Sequence, residues 1–172
     1  MKHPETYRTL ERKVLDLINL TDEEMVFLTV ALTAYKENMS WERFSDLVAG
    51  RVNPLVAAAG GRVNEAVWGH PLFQAARDME DRLGLRQGML APEEGCNPDA
   101  DPFEDQWLPA APAAQSKGVT VAGLHRAIKR GQVIARPAKP GGRRIVVSAN
   151  SLRAWTPDPV RQSARKGAAV AV

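Results

Sequence analysis

The side chains best equipped for chemistry lie between residues 117 and 144. Lys117, Arg126, Lys129, Arg130, Lys139, Arg143 and Arg144 carry fixed positive charge there, with Thr120, Ala122 and His125 interspersed. Arginine can give two parallel hydrogen bonds to a guanine edge or an anionic oxygen pair, whereas lysine acts as a point charge. Such a set is suited to gripping an anion, above all nucleic-acid phosphate, and not to making or breaking bonds.

Residues for bond chemistry are not grouped in a usable pattern. His3, His70 and His125 are scattered, and there is no HExxH spacing and no cysteine pair. Gly60-Gly61 and Gly141-Gly142 lack the strand, lysine and helix context of a phosphate loop. Glu23, Glu24, Asp78, Glu80 and Asp81 offer neighbouring carboxylates, but at a helix cap and on a helix expected to face solvent, which makes their role structural. His70, beside Trp68 and Pro71, reads as a packing or capping residue at a helix boundary. The expectation is a non-enzymatic protein with no metal and no cofactor. An enzyme would need a pocket among Glu23, His70 and neighbouring polar groups.

Charge divides the chain. From Trp107 onward twelve Lys or Arg face one acid, Asp158, for about +11; residues 1–106 hold eleven bases against nineteen acids, about −8. Of the 172 residues 44% are apolar, enough for ordinary cores, and no apolar run approaches the roughly 18–20 residues of a bilayer span. The amino terminus has no hydrophobic leader, so a cytoplasmic location without membrane attachment is expected. Cys96 stands alone, which excludes an intramolecular disulfide.

The elements that must position the cations can be read from periodicity. Residues 1–90 predict an all-helical domain of four to six helices. Tyr7, Leu10, Val14, Leu17 and Ile18 have the spacing of an amphipathic helix over 7–18. Thr21-Asp22-Glu23-Glu24 has the capping-box form ahead of Met25–Tyr35, apolar nearly all round and so expected to be the buried central helix. Ser40 can cap a third helix through Trp41, Phe44, Leu47 and Val48, and Pro54 opens a short one ended by Gly60-Gly61. Pro71 opens another, with Leu72, Ala76, Met79 and Leu83 along one face. Trp41, Phe44, Trp68 and Phe73 are expected in the core, some of them at an interface.

Residues 91–106 combine three prolines with many acids and read as a solvated linker. Beyond it, Pro109–Ser116 predicts a short helix, Gly118 a tight reversal, and Thr120 the cap of a second helix ended by Gly131. On that helix Val121, Leu124 and Ile128 fall to one side and Ala122, Arg126, Lys129 and Arg130 to the other, with His125 at the border. Gly123 should cost the isolated helix about 0.5–1 kcal/mol relative to alanine. Val133–Arg136 and Arg143–Val147 are β-prone runs around a cationic tip, Ser148 can cap a final helix with Leu152 and Trp155, and 158–172 reads as a disordered basic tail.

The run AAQSKGVTVAGLHRAIKRGQV, followed by a hairpin, GGRR and SANSLRAW, resembles the excisionase-type winged helix-turn-helix, a relative of the mercury-resistance-regulator (MerR-like) DNA-binding domains. The likeness covers about 50 of 172 residues. It implies a mainly α fold in which the amino-terminal helical domain precedes a winged helix-turn-helix over 107–157 with one small β-hairpin. It further implies that Ala114, Gly118 and Val119 form the turn, Thr120–Arg130 the recognition helix and Lys139–Arg144 the wing.

On this footing Arg126 and Lys129 are expected to reach base edges of double-stranded DNA, with Lys117, Arg130, Lys139, Arg143 and Arg144 on phosphates. The expected function is transcriptional regulation, by repression, as a dimer or with a protein partner held through residues 1–90. A recombination directionality factor and an antitoxin-type protein that masks a partner enzyme share the same layout.

Overall fold

The computed structural model describes residues 4–158. The fold is mixed, with helices accompanied by two small antiparallel sheets, and the chain divides into two units that meet between Glu104 and Asp105. His3 and positions 159–172 of the expected tail lie outside the described residues.

The first unit is not all-helical. Where a helix over 7–18 was expected, the chain forms strands β1 (Thr6–Arg8) and β2 (Val14–Asp16), paired with Tyr7 opposite Leu15. The turn between them decides the matter: the Thr9 amide donates to the Lys13 carbonyl, the Lys13 amide to Thr9 Oγ1, and Arg12 adopts a left-handed φ of 66°. Alternation along the strands then buries Tyr7, Leu15 and Leu17 together.

Helix α1 (Asp22–Lys36) starts on the anticipated capping box, Thr21 receiving the Glu24 amide while the Glu24 carboxylate accepts from the Thr21 amide. It buries Phe27, Leu28, Ala31, Ala34 and Tyr35 on one side only; Val26 and Val30 are 65% and 45% exposed. Hence α1 is not the central helix that its composition predicts. Helices α2 (Trp41–Ala49), α3 (Pro54–Ala58) and α4 (Glu65–Gly69) follow. Ser40 occupies the start of α2 without capping it; the Trp41 amide donates instead to Gln87 Oε1 at 2.8 Å. Phe44 and Phe73 are buried as expected, whereas Trp68 is exposed, with Phe73 edge-on to its ring and the Arg77 guanidinium over it.

The central role belongs to α5 (Pro71–Arg86), ten of whose sixteen residues are buried, including Asp78, Glu80 and Arg82. His70 caps it, its Nδ1 accepting from the Leu72 amide, and Pro71 takes the first position, where an amide would have no helical partner. The solvent-facing placement expected for Asp78 and Glu80 is therefore wrong, and charges inside a protein must be fully partnered. Asp78 accepts from the Tyr7 hydroxyl, the Leu10 amide and Arg82 Nε, each at 2.7 Å. Glu80 accepts from Arg77 at 2.7 Å. Burial, and then the negative charge of Asp78, push the Tyr7 pKa upward, so its hydroxyl keeps the proton it donates.

Arg82 also gathers distant backbone, donating to the carbonyls of Arg8 and Ala100 at 3.1 and 2.7 Å. Arg86 donates to the Pro98 carbonyl and pairs with Asp99. The Arg8 amide donates to the Pro102 carbonyl, and Phe103 sets its ring edge-on to Tyr7 with centroids 5.1 Å apart. Residues 98–103 of the expected linker are thus part of the first unit, ordered by arginine donors that supply what the segment's composition lacks.

The second unit comprises β3 (Trp107–Pro109), α6 (Ala110–Ser116), α7 (Val121–Lys129), β4 (Ala135–Pro137), β5 (Ile145–Ser148) and α8 (Ala149–Ala154). The anticipated hairpin β4–β5 gains a third strand, β3, giving the antiparallel order β3–β5–β4 with Leu108 opposite Val147. Ala113, Ala114, Leu124, Ala127, Val133, Val147 and Leu152 form its core.

Two substitutions separate the roles in the Asp78 network. Arg82→Met leaves a buried carboxylate without its counter-charge and should cost about 3–5 kcal/mol; Tyr7→Phe removes one donor and should cost about 1–3 kcal/mol. Denaturant unfolding of the full chain followed by circular dichroism measures both, and a neutral Arg82→Met would show that the network does not hold the unit.

Candidate nucleic-acid interface

The cation-bearing surface is built on α7 and the hairpin loop. α6 stops at Lys117, and Gly118 at φ 63° reverses the chain at no steric cost. Thr120 then caps α7, its hydroxyl accepting from the Gly123 amide at 3.1 Å. Gly123 is therefore the third residue of the first turn, and a Cβ there would meet Thr120 Oγ1 at 3.3 Å.

Leu124 and Ala127 face the core, with Ile128 packed partly against it. Val121, expected on that side, is 41% exposed. Ala122, His125, Arg126, Lys129 and Arg130 are all exposed, and at about 100° per residue they share one arc of α7 and its C-cap. Gly131, at φ 70°, closes the helix.

The Lys117 side chain is engaged elsewhere. Its Nζ lies 2.8 Å from the Trp155 carbonyl and 3.4 Å from that of Arg153, where it caps the end of α8. Lys117 thus fastens the end of α8, where the last carbonyls of a helix need donors. Lys139, Arg143 and Arg144 are exposed on the loop 138–144, which is drawn closed by Ala138 N–H to the Arg144 carbonyl at 2.7 Å and by Gly142 N–H to the Lys139 carbonyl at 2.9 Å.

Two supports of this surface have no local signal in the sequence. Arg136 on β4 places its guanidinium 4.5 Å from the ring centre of Trp107 on β3, bridging the outer strands across β5. At the β5–α8 junction, Ser148 Oγ donates to the Asp105 carboxylate and accepts from the Ser151 amide, while the Asn150 amide donates to Asp105 at 3.0 Å. Ser151 Oγ in turn accepts from the Ile134 amide at 2.9 Å, which ties the chain between α7 and β4 to α8.

Asp105 and Asp158 are the two acids in residues 105–158. Among the described residues Arg126, Lys129, Arg130, Lys139, Arg143 and Arg144 form no ion pair. Uncompensated guanidinium and ammonium groups on a helix face and a loop can donate hydrogen bonds to anionic oxygens and to base edges. No group of three or more His, Cys, Asp or Glu able to hold a metal ion occurs among the described residues.

No family model, curated protein or solved structure matches this chain.

Scaffold and surface should separate in stability measurements. Thr120→Ala removes the α7 cap and should cost about 1 kcal/mol, whereas Arg126→Ala should stay within about 0.5 kcal/mol of the parent because its side chain is exposed. Denaturant unfolding checks both, and an Arg126→Ala loss equal to that of Thr120→Ala would make Arg126 part of the scaffold.

Proposed function

We propose that the chain is a sequence-specific, double-stranded DNA-binding protein that regulates transcription, as a repressor, through a winged helix-turn-helix in its second unit. The observation that carries this reading is the row of exposed cations without ion pairs on α7 and its C-cap, Arg126, Lys129 and Arg130, on a unit whose hairpin loop adds Lys139, Arg143 and Arg144.

A nine-residue helix, about 13 Å long, can lie in the roughly 12 Å wide major groove, where base pairs are told apart by their donor and acceptor patterns. Arg126 and Lys129, near the middle and end of α7, are the side chains assigned to base edges, with Ala122 and His125 beside them. Arg130 and the loop cations neutralise phosphates, which fixes position without reading sequence. Thr120 contributes through the start of α7, which it holds by its cap. Repression follows if the bound site overlaps the one polymerase needs.

The two sets of cations should behave differently. A genome-wide pull-down with the purified chain should enrich a short site, and Arg126→Ala with Lys129→Ala should abolish the sequence preference while keeping non-specific affinity. Arg143→Ala with Arg144→Ala should weaken binding to all sequences and flatten the salt dependence, by about 0.9 in the log–log slope for each phosphate left without its cation. Absence of any complex with duplex DNA at low ionic strength would end this reading.

A further inference from the structure

The exposed arc of α7 is graded along its length. Its side chains fall into three pairs one helical turn apart: Val121 with Ala122, His125 with Arg126, and Lys129 with the C-cap Arg130. At about 100° per residue these six occupy one half of the helix circumference, opposite the buried Leu124 and Ala127. The second and third pairs carry nitrogen donors, whereas the first carries methyl groups alone.

That first pair is open and already rigid. Val121 is 41% exposed and Ala122 is exposed beside it. Gly123 adds no side chain, and the polar groups of the turn are engaged: Thr120 Oγ1 accepts from the Gly123 amide at 3.1 Å and the Thr120 carbonyl from the Leu124 amide at 2.9 Å. A helical valine has essentially one χ1 rotamer and alanine has none to lose, so the methyl groups are fixed before any contact forms. Arg126 leans toward them, its Nε 3.4 Å from the Ala122 carbonyl, as the tilt of helical side chains toward the amino terminus favours. A guanidinium fork and a methyl patch therefore stand side by side.

The apolar group that base edges present in the major groove is the C5-methyl of thymine, which cytosine lacks. We infer that Val121 and Ala122 form a methyl-recognising surface that packs on the C5-methyl of a thymine near the guanine assigned to Arg126. The thymine lies within about two base pairs of that guanine, since one helical turn advances about 6 Å and successive bases about 3.4 Å. This inference rests on the proposal that α7 enters the major groove. It adds Val121 as a specificity residue and a base identity that hydrogen bonding by Arg126 does not supply.

The test uses the full chain and the duplex that it enriches, with each thymine replaced in turn by deoxyuridine, which removes the methyl and keeps every hydrogen-bonding group. Competition binding read by fluorescence anisotropy at one salt concentration should show one or two such positions where replacement weakens binding about fourfold, the worth of one buried methyl group. With cytosine at that position, 5-methylcytosine should bind better than cytosine by about the same factor. The Val121→Ser/Ala122→Ser variant should bind the thymine and deoxyuridine duplexes alike. Circular dichroism checks that this variant folds, and the deoxyuridine scan of the parent decides the matter if it does not. A scan flat at every thymine, an enriched site without thymine, 5-methylcytosine no better than cytosine, or a variant with the parent's thymine dependence would overturn the inference while leaving DNA binding intact. Failure to bind any duplex would overturn both it and the proposal beneath it.

Discussion

The carboxylate of Asp105 is spent inside the second unit, and much of that unit's character follows from where it is spent. Its oxygens hold Ser148 and the Asn150 amide, Ser148 holds Ser151, and Ser151 holds the Ile134 amide. One acid thereby joins β5, α8 and the segment leading from α7 into the hairpin. The same commitment leaves the cations of α7 and the 138–144 loop with no carboxylate against them among the described residues. A surface of this sort is kept from its own counter-charges by the architecture, and its field is available to an anion from outside.

The first unit handles charge in the opposite way. Asp78, Glu80 and Arg82 are buried on α5 and paired with Tyr7, Arg77 and backbone carbonyls, so that polar side chains close the joint between the β1–β2 hairpin, α5 and residues 98–103. Where that unit is apolar on its outside, on α1, the polar atoms present are already bonded within the helix.

The elements most legible in the sequence were those with a cap, a glycine stop and one clear apolar face. The Thr21 capping box, Pro71 at a helix start, Thr120 before α7 and Gly131 after it are local signals, and local hydrogen bonds fulfil them. The exposure of Ala122, His125, Arg126, Lys129 and Arg130 was readable for the same reason, since helix period alone sets which side they occupy. The hairpin at 6–16 was not, because its apolar spacing mimics a helix and its turn relies on Arg12 at positive φ without a glycine to mark it. Nor was the interior position of Asp78, whose partners Tyr7 and Leu10 lie 71 and 68 residues away. The engagement of Lys117 by α8 and of Arg136 by Trp107 are likewise tertiary facts. Composition marked where the cations stand in the chain but could not say which of them the fold would engage.

The central claim, that the exposed α7 face and the hairpin loop are where duplex DNA is held, is tested most directly by titrating the isotopically labelled full chain with a duplex and following its amide resonances. The account predicts shifts concentrated at Ala122, His125, Arg126, Lys129 and Arg130 and along 138–144, with the Asp78 network of the first unit undisturbed. Shifts confined to residues 4–104, or spread evenly over the chain without a focus on α7, would contradict it.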